Sequence, residues 1–204
     1  MTTRRAFLAL LLAAALNAPG AGAASAPQIR DVTGDWVLGG QDIVWARVSD
    51  VLVDGVPHLR AELRLASAPV EELQNHYVVD VVHQCRKFRF HGYVGQLDPE
   101  PITGVFTREA YCFGNDDDPG AQARYPMTVS LRGTTVTWVA PYPEGIRRGS
   151  RLTRFFAAAC SVTPDPLTFD VSDSYPPGPV GAQDGDHAAA PKAVHVVGSD
   201  LPRR

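Results

Sequence analysis

The sequence predicts an α+β fold: a small antiparallel β-sheet with a C-terminal helix packed on it, then a disordered C-terminal tail. Three observations lead there. Between Asp35 and Val139 the signals are those of strands, with apolar and charged residues alternating along half-buried segments. From Arg151 to Cys160 the apolar spacing changes to that of a helix. After Cys160 the chain turns rich in proline, glycine and alanine and loses its periodicity.

The N-terminus comes first in chain order. Thr3-Arg4-Arg5-Ala6-Phe7-Leu8 leads into an apolar run that ends at Leu16, and Asn17-Ala18-Pro19-Gly20 breaks it. A positive start, a short apolar stretch and then small residues make an export signal. The run is shorter than the ~20 apolar residues a membrane-spanning helix needs. Ala21-Gly22-Ala23 supplies the small residues for cleavage before Ala24, so residues 1–23 read as the signal. Arg-Arg-x-Phe-Leu is of the twin-arginine type. No cysteine follows the cleavage site to carry a lipid. The expected location is the periplasm or beyond it, as a soluble protein with no membrane span.

Residues 27–160 form the expected domain. Ile43 to Val53 is β-branched and apolar. Leu59, Ala61, Leu63 and Leu65 then alternate with Arg60, Glu62 and Arg64. Asp54-Gly55 between the two runs is a hairpin signal, because its turn type needs residues that tolerate positive φ. Tyr77 to Val82 is a further strand with an extension through Cys85 to Phe90, in which Phe88 and Phe90 face opposite to Lys87 and Arg89. Val105 to Phe113 and Met127 to Val139 complete the sheet, the latter with a turn near Arg132-Gly133. A brief helix fits Pro69 to Gln74.

Ser150 is placed to cap a helix starting at Arg151. Leu152, Phe155, Phe156, Ala159 and Cys160 fall at i, i+3, i+4, i+7 and i+8, one apolar stripe to lay against the sheet. Residues 161–204, the tail, offer too little apolar surface to offset the entropy of ordering them.

Three cysteines in an oxidising compartment leave one outside any internal pair. A Cys85–Cys160 bridge would tie the helix to the sheet and close a loop of about 75 residues, which the chain-entropy model credits with roughly 4 kcal/mol. The competing pair is Cys85–Cys112, which neighbouring strands would bring together.

Trp36, the hairpin around Asp54-Gly55, Cys85-Arg86-Lys87-Phe88-Arg89, Trp138-Val139-Ala140-Pro141, Gly149-Ser150 and Ala159-Cys160 succeed one another along the chain. In that order and spacing the chain resembles the surface-adhesin protein E family between Trp36 and Cys160. The resemblance implies a small antiparallel sheet whose C-terminal helix is stapled to it by the Cys85–Cys160 disulfide. It implies binding of extracellular proteins rather than turnover. The chain departs from the family in lacking a lipidation cysteine, in its twin-arginine-like signal, and in carrying Cys112 and the tail. The matching motifs are structural, so no ligand-contact residue carries over.

Composition narrows the function. The chain has 19 basic and 22 acidic residues, and removal of the signal leaves 17 against 22. Nucleic-acid binders carry a basic excess, so that class is disfavoured. No Gly-x-Ser-x-Gly elbow, phosphate loop, zinc-protease motif or haem-attachment motif occurs. Asp80 and Glu109 are both on expected strands, but their spacing does not place them at the separation glycoside chemistry needs. No catalytic residue, cofactor or metal site is therefore assigned.

Arg147, Arg148, Arg151 and Arg154 form the densest basic group, suited to an acidic partner, a glycan or an anionic surface. The reading that follows is an exported, non-enzymatic, adhesin-like binding domain for an extracellular or envelope protein. The alternative is a periplasmic metal-binding protein or small enzyme using His83, Cys85 and His91, with His76 nearby. Those residue types suit copper or zinc. Asp116-Asp117-Asp118 lacks the alternate spacing that wraps calcium, and Asp184-Gly185-Asp186-His187 reads as a polar linker.

Overall fold

The computed structural model of the chain describes residues 26–31, 34, 42–69, 74–94, 103–110, 123–162 and 184–202. These residues are all-β, with no helix among them. The eleven strands are β1 (Ile29–Arg30), β2 (Ile43–Val53), β3 (Val56–Leu65), β4 (Gln74–His83), β5 (Arg86–Val94), β6 (Thr103–Ala110), β7 (Ala123–Tyr125), β8 (Thr128–Arg132), β9 (Thr135–Pro141), β10 (Arg151–Val162) and β11 (Asp184–Val196). They build two antiparallel sheets, ordered β1-β2-β3-β9-β8 and β11-β10-β4-β5-β6-β7.

The alternation seen in the sequence sets the inner face of the first sheet. Leu59, Ala61, Leu63 and Leu65 of β3 are fully buried, and Val136, Trp138 and Ala140 of β9 face the same core. Each residue of this face contributes roughly 25 cal/mol per Å² of apolar surface removed from water. Tyr77, Val79 and Val81 of β4, with Phe88 and Phe90 of β5, supply the opposing face. Phe90 stacks on Phe106 of β6 at 4.3 Å between ring centres. The two sheets thus close on one continuous apolar cluster.

Asp54 and Gly55 both have positive φ, 50° and 78°, and turn β2 into β3 as the sequence predicts. Gly133-Thr134 likewise turns β8 into β9. The extension from Tyr77 to Phe90 is not one strand. Gln84 and Cys85 form a tight turn with Gln84 at φ 50°, and β4 folds back on β5. Neither glycine, proline nor asparagine marks this turn, so the sequence carries no punctuation for it. The brief helix expected over Pro69 to Gln74 falls mostly outside the described residues, and Gln74 itself begins β4.

The C-terminal helix is a correction. Arg151 to Val162 is strand β10, placed centrally in the second sheet between β4 and β11. Its register slips between Thr153 and Phe155, and Arg154 in between has φ 51°. Against β4, where Thr153 pairs with Val82 and Phe156 with Asp80, β10 carries one extra residue, a bulge. Inward positions therefore run Leu152, then Phe155, Ala157 and Ala159. The insertion turns a period of two into an i, i+3 step and imitates a helical stripe. Ala158 and Cys160, on the other face, are buried too, so the strand reads as continuously apolar. Ser150 caps a turn instead of a helix, its Oγ accepting the Arg147 amide at 3.0 Å.

The tail is a second correction. Residues 184–196 form β11 along β10, with Ser161 opposite Asp184 and Arg151 opposite Val196. The Asp184 to His187 stretch begins that strand rather than a linker. Residues 163–183 lie outside the described ones. As an edge strand β11 is interrupted where Phe155 pairs with Ala190 and Thr153 with Val194. Exposed Pro191 and Lys192 sit in that interruption. Proline, lysine and a bulge are the usual means of stopping another chain from adding to an edge.

The Cys85–Cys160 staple is the third. Cys160 is opposite His76, whereas Cys85 follows His83 at the far end of β4. Seven residues of strand separate the two ends, roughly 24 Å at ~3.4 Å per residue. A disulfide requires Cα atoms within about 7 Å.

Candidate recognition surface and its polar hub

β1 covers only a small part of the outer edge of β2, pairing Ile29 with Ala46 and Arg30 with Trp45. Beyond that, side chains replace the missing ladder. The Gln28 amide acts as a peptide would, accepting from the Val48 N–H at 2.8 Å and donating to the Val48 carbonyl at 3.0 Å. Two residues on, the Asp50 N–H donates to Asp200 Oδ2 at 3.0 Å. Period two explains the choice of 46, 48 and 50: alternate residues present their backbone groups to the same edge.

Asp50 is also a hub through its side chain. Its Oδ1 accepts from the Tyr142 hydroxyl at 2.6 Å. Its Oδ2 accepts from the Gly198 amide at 2.7 Å and from His195 Nε2 at 3.0 Å. Asp50 and His195 are both buried. Burial pushes the carboxyl upward, but the bonds from His195 and Tyr142, the neighbouring imidazole and the Gly198 amide outweigh it and hold it below the ordinary value. The Tyr142 phenol is raised, by burial and by its bond to that carboxylate. Gly198 has φ 83°, a conformation that favours glycine, and a Cβ there would sit 2.5 Å from Cγ of Arg148, whose exposed side chain would have to shift.

Around the hub lies an exposed surface. Leu52, Val53 and Val56 at the β2–β3 hairpin tip, with Val194 and Val196 on β11, are the exposed large hydrophobic residues among those described. Asp50 precedes the first group by two residues, and His195 sits between Val194 and Val196. The hub bond therefore sets the two groups on the two sides of one seam. The four arginines singled out from the sequence are all exposed. They do not share a helix face. Arg147 and Arg148 occupy the turn before β10, Arg151 lies opposite Val196, and Arg154 marks the bulge. The Gly149 amide donates to the Val197 carbonyl at 2.8 Å, which fixes this turn beside the hub.

His83, Cys85 and His91 do not converge. His83 ends β4 and Cys85 sits in the β4–β5 turn, while His91 is opposite Val78 in mid-sheet. The His83 ring instead meets the Arg151 carbonyl at 3.0 Å. His91 joins His76, with 3.2 Å between His76 Nδ1 and His91 Nε2, and Tyr93 Oη lies 3.0 Å from His91 Nδ1. Burial lowers His76 to about 4. It lowers His91 to about 3, helped by the adjacent His76 and Arg89. Both rings are therefore neutral at pH 7. Burial also raises Tyr93 to about 12.

Asp80 and Glu109 are not partners across the sheet. Asp80 is opposite Arg89 and takes a two-pronged bond from it, both at 2.9 Å and buried, whereas Glu109 is opposite Lys87. Asp116-Asp117-Asp118 and Cys112 lie outside the described residues.

Sequence reasoning missed Asp50, Tyr142, His195 and Asp200. The available signal was Ala193-Val194-His195-Val196-Val197, a β-branched run inside a segment judged by its average composition. No described helix is long and apolar enough to cross a membrane. The fold defines a class, a two-sheet antiparallel β domain with side chains locking one seam. No family model matches the chain, and no curated protein or solved structure matches it.

Proposed function

We propose that the chain is an exported, non-enzymatic recognition domain that binds an acidic protein partner of the envelope or the exterior. The observation that carries this is that the Asp50–His195 bond sets the exposed hairpin tip of Leu52, Val53 and Val56 and the exposed Val194 and Val196 on the two sides of one seam, beside the exposed Arg147, Arg148 and Arg151. Exposed aliphatic residues gathered on one side mark interaction sites. Arginines at the margin of such a patch add selectivity for acidic surfaces and speed encounter. The twin-arginine-like signal supports a periplasmic or secreted destination.

The test compares the mature chain with two surface variants, Leu52→Asp/Val56→Asp and Arg147→Glu/Arg148→Glu, by crosslinking in the native envelope. Support is a discrete crosslinked partner lost in both variants, with affinity falling at least tenfold and more steeply at low salt for the arginine pair. Equal crosslinking by wild type and both variants would overturn the proposal, as would a partner with a basic contact surface.

A further inference from the structure

We propose that Asp50, His195 and Asp200 form a binding site for one divalent transition-metal ion of the zinc type at the β2–β11 seam. This goes beyond the recognition reading and stands independently of it. One ligand atom from each residue lies within 4.8 Å of the other two. The ligands come from β2, from β11 and from the turn after β11, so they converge only in the folded chain.

The donor chemistry selects the ion. One imidazole and two carboxylates suit zinc and its neighbours, whereas calcium takes six to eight oxygens. Ligand bonds of about 2.1 Å in a tetrahedron put neighbouring ligand atoms about 3.4 Å apart. His195 Nε2 and Asp50 Oδ2 already lie 3.0 Å apart, so an ion entering between them spreads the pair by only a few tenths of an ångström. The proton that Nε2 donates to Asp50 must leave that nitrogen, for Nδ1 or for solvent, before the Nε2 lone pair can bind the ion.

The outer shell is in place. The Tyr142 hydroxyl on Oδ1 and the Gly198 amide on Oδ2 orient the Asp50 carboxylate, as partners behind metal ligands do. Asp200 is partly exposed and gives the ion a way in from solvent, while Asp50 and His195 are buried. A bound ion would clamp the C-terminal turn to β2 beside the exposed apolar end.

The mature chain, stripped with a chelator, is titrated with zinc by calorimetry. Expected is one equivalent per chain together with a rise in Tm. His195→Gln keeps a donor for Asp50, and Asp200→Asn keeps the shape of the turn. Each should bind zinc at least tenfold more weakly with an unchanged circular-dichroism spectrum. If His195→Gln fails to fold, Asp200→Asn decides. The proposal is overturned if wild type takes up no equivalent of zinc. It is equally overturned if a folded variant binds with wild-type affinity, because the ion then sits elsewhere, for example at His76 and His91.

Discussion

His195 donates from Nε2 to Asp50 Oδ2 at 3.0 Å, joining residues 145 positions apart. This bond links the strand after the first short pairing to the last strand of the chain. It closes a seam for which no backbone ladder exists. Its neighbours, Tyr142 and Gly198, complete the carboxylate's shell. Replacing Asp50 by Ala strips the acceptor from three donors at once, where each buried donor left alone costs about 1–3 kcal/mol. Asp50→Ala should therefore lower stability by at least ~3 kcal/mol in urea unfolding, and Asp50→Asn by less. A change below ~0.5 kcal/mol for Asp50→Ala would show that the hub does not hold the seam.

The His76–His91 pair makes the fold acid-sensitive. Both folded values, about 4 and about 3, lie below the ordinary 6.5. The unfolded chain then binds protons that the folded one refuses. The contribution is complete above pH ~6.5. It is lost as pH falls toward 4 and 3, at up to ~1.4 kcal/mol per pH unit for each ring. Urea midpoints at pH 7.5 and 5.0 should differ clearly in wild type and much less in His76→Asn/His91→Asn. Equal pH slopes in the two proteins would contradict this.

Asp80 and Arg89 bond through two parallel contacts on the outer face of β4 and β5, with side chains 7% and 10% exposed. Arg89→Met leaves a buried carboxylate unpaired and should cost about 3–5 kcal/mol. The double change Asp80→Leu/Arg89→Met should recover most of that loss, because two apolar side chains need no partner. Chemical denaturation of the three proteins measures the coupling, and additive losses would rule it out.

The cysteines offer a covalent test of the register. Cys160 lies opposite His76, far from Cys85. Arg86 pairs with Ala110, so Cys85 adjoins one member of this pair, and Cys112 follows the other by two residues in the sequence. Peptide mapping without reduction should yield a Cys85–Cys112 fragment. A Cys85–Cys160 fragment would refute the β4–β10 register.

Legibility differed by element. The β2–β3 hairpin could be read from the sequence because Asp54-Gly55 and the Leu59–Leu65 alternation are local signals, each needing only its neighbours. The β4–β5 turn could not, since Gln84 has positive φ there and glutamine is no signal for that conformation. For β10 the bulge at Arg154 shifted the phase, and burial on both faces removed the polar alternation that marks a strand. Of the candidate surface, the four arginines were legible as a basic group and prove exposed, but Arg151 and Arg154 lie on a bulged strand and not on a helix.

The sequence by itself determined the antiparallel β character of residues 43–65 and 128–141 and the basic character of the 147–154 segment. These depend on spacing and composition within a few residues. Tertiary structure alone decided that Asp50 meets His195, that His91 meets His76 and not Cys85, and that the C-terminal segment becomes a strand. Each of these is a long-range pairing. Its free energy comes from burying and hydrogen-bonding groups distant in the chain, which no local pattern encodes.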